Sequence, residues 1–213
     1  MSLFSVYRGL AAGFGHNAAP PVRLTTMAEQ VMASSYLAWI LDGRGYQVRA
    51  GTITTPLTGD VEITDTAAEM CADAATGTTI IPVYLNATVE SLNGGTLPNI
   101  AAKSVATVSS AGTAFVPLPL FSGGSAAVST ARVQAAGAVT VTAELATTTL
   151  RHFEKQVATA ALEPLADHSF ASHPPILVGP RCFYVQIAGV TAGPTYFAAF
   201  EYVEMPTLMV TPS

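Results

Sequence analysis

Asp167, His168 and His173, with Glu163 just upstream, are the residues whose types suit metal ligation, since imidazole nitrogens and carboxylate oxygens bind zinc and iron. Their spacing does not suit it. Two histidines five residues apart in a Pro-rich loop match no zinc pattern. The acidic run Asp60, Glu62, Asp65, Glu69 and Asp73 offers oxygens to a calcium ion, but it lacks the alternating Asp/Asn ligands and central glycine of a calcium loop. The Thr66–Glu69 capping pattern instead predicts a short helix ending at Gly77, with Glu69 and Asp73 one turn apart on a solvated face. Gly123-Gly124-Ser125 is no nucleophile elbow, because no glycine follows two residues after the serine and no helix follows at all. Gly13-Phe14-Gly15 lacks the rest of a dinucleotide-binding fingerprint and does not follow a strand. Cys71 falls inside the predicted short helix with no histidine near it in sequence. Cys71 and Cys182 lie far apart and make no disulfide framework, so two buried free thiols are expected. These residues predict a non-enzyme with no metal site, no cofactor and no small-molecule substrate.

The composition points to packing rather than chemistry. Of 213 residues, 11% are charged, against roughly 25% in ordinary soluble domains. Between Ala74 and Ala143 the only charged residues are Glu90, Lys103 and Arg132, among Ala, Thr, Val, Ser, Gly and Pro. Such a surface is covered either by hydroxyls or by other subunits. Half of the chain is hydrophobic, yet no apolar run reaches the ~18 residues of a membrane span. The N-terminus lacks the basic region, apolar core and cleavage site of a secretory signal, so synthesis in the cytoplasm is expected. Residues 1–49 carry four arginines against two carboxylates, whereas the remainder carries five basic groups against twelve acidic ones. Arg8 and Arg23 are the candidates for weak nucleic-acid contact, but an acidic chain argues against nucleic-acid binding as the main task.

The elements that must position these residues follow from periodicity. Residues 1–24 read as an irregular arm, broken by Gly9, Gly13, Gly15 and Pro20-Pro21. Thr26–Glu29 forms a capping box that predicts a helix to Leu41, stopped at Gly43, with the single tryptophan, Trp39, as its anchor. Strand alternation follows: Tyr46, Val48 and Ala50, then Val61 and Ile63, then Ile81 to Val89. Further strands are expected at about 100–110, 113–121, 126–136, 138–150, 181–188 and 195–205. Pro82, Pro117 and Pro119 mark sheet edges or bulges. Tyr196, Phe197, Phe200 and Tyr202 leave both faces of the last strand largely apolar, which predicts cover on both sides. Eight or more strands without strand–helix alternation predict a mainly β fold: an antiparallel two-sheet β-sandwich wound as a jelly roll, with an N-terminal arm and helix. The expected division is an arm and helix over 1–43 and a sandwich body over 44–213.

The irregular arm, the Thr/Ala/Val/Gly-rich β body and segments such as Thr78-Thr79-Ile80-Ile81-Pro82-Val83-Tyr84-Leu85 resemble bacteriophage virion structural proteins, in particular capsid subunits of the single jelly-roll type. The resemblance covers about residues 44–206 and implies a self-assembling shell within a virion. In it the arm reaches neighbouring copies, and the partners are further copies and other virion proteins. Phe4, Tyr7, Phe14, Trp39, Phe115 and Phe121 are the candidate assembly residues. The chain departs from many capsid proteins in lacking a strongly basic arm, and only one predicted helix exceeds two turns, a poor fit to capsid folds built on a long spine helix. The alternative is a β-sandwich binding module (adhesin, tail-fibre or carbohydrate-recognition domain) presenting Tyr184 or Tyr196 on loops. A third reading is a cupin-type enzyme gathering His168, His173 and a carboxylate around a metal.

Overall fold

A computed structural model describes residues 23–24, 30–31, 35–135, 137–144, 148–157 and 164–207. Two compact units divide between Ala38 and Trp39. In the first, β1 (Arg23–Leu24) pairs antiparallel with β2 (Gln30–Val31). The helix α1 (Ser35–Leu41) is seven residues long and straddles the division. The predicted helix over 26–41 is thus corrected at its start: Gln30–Val31 is strand. Thr hydroxyls and carboxylates that cap helices bond to turn backbone equally well, so a capping box does not by itself locate a helix.

The second unit is built of strands in the following order: β3 (Gly45–Ala50), β4 (Leu57–Thr58), β5 (Ala67–Ala68), β6 (Met70–Ala74), β7 (Thr78–Ser91) and β8 (Thr96–Val105). There follow β9 (Ser110–Ala111), β10 (Thr113–Phe115), β11 (Leu118–Pro119), β12 (Thr130–Val133) and β13 (Val139–Thr140). The chain closes with β14 (Leu150–Gln156), β15 (Pro164–Ser169), β16 (Leu177–Val178), β17 (Arg181–Val190) and β18 (Thr195–Pro206). One sheet runs β10-β12-β6-β17-β8-β14, and the other β11-β3-β18-β7-β15 with β4 and β16 attached. Numbered among themselves, the eight strands of five or more residues lie in the order 1-8-3-6 in the second sheet and 2-7-4-5 in the first. All their pairings are antiparallel. That order is the jelly-roll winding of a two-sheet sandwich.

The main core fills the space between the sheets. Met70, Ala72 and Ala74 meet Phe183, Val185 and Ile187 on one side, and Leu85, Phe200 and Tyr202 on the other. Phe183 packs edge-on against both Phe200, at 5.1 Å between centroids, and Phe170, at 6.1 Å. A second, smaller core lies on the outer face of the first sheet. There the three-stranded sheet β5-β13-β9 covers Cys71, Val105, Cys182 and Tyr184 with Ala68, Val139 and Val141. Strands β6 and β17 are therefore buried on both faces along nearly their whole length.

The predicted helix over 66–77 is overturned. Its Ala-rich sequence has good helix propensity, but β6 is hydrogen-bonded between β12 and β17 and feeds the main core with every second side chain. Tertiary pairing outweighs a propensity worth tenths of a kcal/mol per residue. Gly77, at φ 88°, serves the turn from β6 to β7. Val61 lies in a bend and Ile63 in irregular backbone rather than a strand, with Val61 exposed. Pro82 sits where β7 changes partner, between β15 and β16, and beside a register shift against β18. A bulge of this kind is where a strand tolerates a residue without an amide hydrogen, as expected for Pro82. The expected cover on both faces of the last strand holds only for its end, Tyr202–Met205, where every residue is buried; before it Tyr196, Ala198 and Phe200 enter the core, while Phe197, Ala199 and Glu201 are half-buried. Among the described residues no helix is long and apolar enough to cross a membrane.

Candidate assembly surface

Residues 106–149 connect the fourth and fifth jelly-roll strands, β8 and β14, and supply the free edge of both sheets. β10 ends the first sheet and β11 ends the second, joined through Val116-Pro117, so the two edges lie on the same side of the sandwich. No charged residue occurs between Lys103 and Arg132. Edge strands usually carry charge to discourage pairing with other chains. Here the only such safeguards are the short strands and Pro117 and Pro119. The opposite edges are ordinary by comparison. β14 exposes Arg151, Glu154 and Lys155, and β15 exposes Asp167.

Several large apolar side chains of this connection face outward: Val108 at 52% exposure, Val116 at 74%, Phe121 at 43% and Val128 at 68%. The main body holds them in place. Buried Glu204 of β18 accepts the Val128 amide at 2.9 Å, the Ser129 amide at 2.8 Å and the Ser129 hydroxyl at 2.5 Å. Ser129 Oγ also lies 2.7 Å from Tyr202 Oη. The Tyr46 hydroxyl donates to the Ser125 carbonyl at 3.3 Å and the Gly43 carbonyl at 3.1 Å. Burial and then the Glu204 charge raise the Tyr46 pKa, so the phenol remains a donor. The Leu120 amide bonds the Gly45 carbonyl at 2.9 Å. A tight turn over Phe121–Gly124 closes on the Gly124 amide, with Gly123 at φ 85° as a type II turn requires at its third position. Phe121 and Val128 are thus presented on a rigid base.

The other candidate residues fall as follows. Phe4, Tyr7, Phe14 and Arg8 lie outside the described residues, and Arg23 is described only as backbone of β1. Trp39 is half-buried, and Phe115 packs its partly buried ring against the main core. Tyr184 and Tyr196 are buried, at 1% and 0% exposure, and do not sit on loops as a binding platform needs. His168 is held by aromatic rings: stacked on Phe153 at 4.4 Å and edge-on to Phe170 at 4.5 Å. Glu163 lies outside the described residues, and His173 is exposed in the following turn. His152 lies 2.8 Å from the Ser104 hydroxyl, and burial followed by Arg181 lowers its pKa. The expected solvated face of Glu69 and Asp73 is corrected: both are buried. Cys71 and Cys182 are buried free thiols, as expected.

Sequence reasoning missed the ion pairs on the outer face of the first sheet. Lys103, 5% exposed, donates to Glu144 at 2.7 Å, and Arg151 Nε donates to the same carboxylate at 2.8 Å. These two cations hold the Glu144 carboxyl below its ordinary range. Both bonds tie the end of the connection to β8 and β14, a pairing that opposite charges separated by 41 residues do not advertise. The chain matches no protein-family model, no curated protein and no solved structure.

Proposed function

We propose that the chain is a structural subunit of a virus particle, a capsid-type protein that works by packing against copies of itself and not by catalysis. The observation that carries this reading is the uncharged, apolar free edge at 106–128, set on a jelly-roll body whose opposite edges are charged. A protein that stays monomeric gains nothing from a rigid, charge-free edge with exposed Val116, Phe121 and Val128, which is an aggregation liability. A protein that closes a shell needs one, because stable obligate interfaces bury about 2,000 Å² or more of core-like surface. Jelly rolls also form viral capsids, lectins and cupins, so the fold alone does not choose among them. Burial of Tyr184 and Tyr196 removes the aromatic platform that a carbohydrate-binding reading would use. On this reading the chain is made in the host cytoplasm and ends in the virion.

Electron microscopy of the purified full chain tests the proposal. Closed particles of uniform size support it. A discrete small oligomer favours the binding module, and a monomer at high concentration overturns the assembly reading.

A further inference from the structure

Cys71, Asp73 and Cys182 converge in the second core, with Sγ, Sγ and a carboxylate oxygen all within 4.8 Å of one another. They are 0%, 3% and 0% exposed. Cys71 and Asp73 are two residues apart on β6 and so share its outer face. Cys182 lies opposite Asp73 in the β6–β17 register. The loop before β9 completes the group: the Ser109 amide donates to Asp73 Oδ1 at 2.8 Å, and its hydroxyl donates to Oδ2 at 2.6 Å. The Cys71 thiol in turn donates to Ser109 Oγ at 3.1 Å.

We propose that Cys71, Cys182 and Asp73 form a closed structural site for a zinc-class divalent cation, with Ser109 Oγ as the fourth ligand. Two thiolates and a carboxylate are a donor set that zinc accepts in tetrahedral geometry, and thiolates select it over magnesium or calcium. Binding releases two thiol protons to solvent, and the Asp73 carboxylate supplies the third donor. Loss of the Cys71 proton frees the Ser109 lone pair that it occupies. The Ser109 amide and hydroxyl hold the Asp73 carboxylate in one orientation, the role of outer-shell partners in metal sites. The bound site carries one net negative charge, and Arg132, whose Nε is buried without a partner, stands opposite Cys71 in the β12–β6 register. The metal would pin the connection between β8 and β14 to the sheet. It acts on stability and is independent of the assembly proposal.

The test is cobalt titration of the full chain after chelation, in a phosphine reductant. The expected result is one equivalent of Co²⁺ per chain, a thiolate-to-cobalt charge-transfer band displaced by Zn²⁺, and a melting temperature raised by Zn²⁺. Cys71→Ser and Cys182→Ser should each lose the band, and Asp73→Asn should weaken binding about tenfold or more. Should a cysteine variant fail to fold, Asp73→Asn and Ser109→Ala, checked by circular dichroism, decide the matter by cobalt affinity. No band in the folded wild-type chain overturns the site, as does a band that survives in either cysteine variant. Loss of both free thiols in the unreduced, denatured protein would show a disulfide instead.

Discussion

Glu69 is 1% exposed, and one of its oxygens accepts the Ile187 amide at 2.7 Å. Burial, followed by the charge of Asp60, pushes its pKa up to about 8. The folded chain therefore holds a proton that the unfolded chain releases near the ordinary 4.5, and stability falls as pH rises from about 4.5 to about 8. Glu69→Gln keeps a carbonyl for the Ile187 amide and removes that titration. Melting curves across this range should show the wild type losing stability relative to the variant, with the gap constant above about pH 8. At the centre of the main core, Phe183→Ala removes a fully buried ring that contacts Phe170 and Phe200. It should cost about 3–5 kcal/mol in urea unfolding with an unchanged m-value. The burial of the two cysteines was legible in the sequence, but neither the burial of Glu69 nor the convergence of Cys71 with Cys182 and Asp73 was. A helix over 66–77 would put Glu69 in water and turn Cys71 and Asp73 to different sides. Only the strand brings the last two to one face.

At the scale of elements, strands with a clear inside and outside were readable. Tyr46, Val48 and Ala50 of β3 are buried, with Gln47 half-buried and Arg49 exposed between them, as alternation predicts. β14 and β15 were not readable. They are edge strands whose polar residues, Arg151, Glu154, Lys155 and Asp167, are placed by exposure to solvent and leave no clean hydrophobic period. The connections depend on close backbone approach. A Cβ on Gly193, between β17 and β18, would collide with the Gly59 carbonyl oxygen. The Gly59 amide also bonds the Pro194 carbonyl at 2.8 Å. Gly193→Ala must push these segments apart, and thermal or urea denaturation should show a loss of about 1–3 kcal/mol.

For the whole molecule, scarce charge and strand count implied a two-sheet sandwich built for packing, and the strand order bears out the jelly roll. Which residues face a partner was not legible in the same way. Phe115 and Phe121 look alike in sequence, yet one packs on the core and the other is exposed, because β10 and the Phe121–Gly124 turn orient them differently. The asymmetry between an uncharged edge at 106–128 and charged edges at β14 and β15 is the property on which assembly would depend. The most direct measurement is light-scattering mass of the wild-type chain beside the Val116→Asp/Phe121→Asp double variant. Both positions are exposed, so the variant should keep wild-type stability within about 0.5 kcal/mol per site. The expected result is large particles for the wild type and a folded monomer or small oligomer for the variant. Wild-type protein that remains monomeric at high concentration, or a variant that assembles as the wild type does, would contradict it.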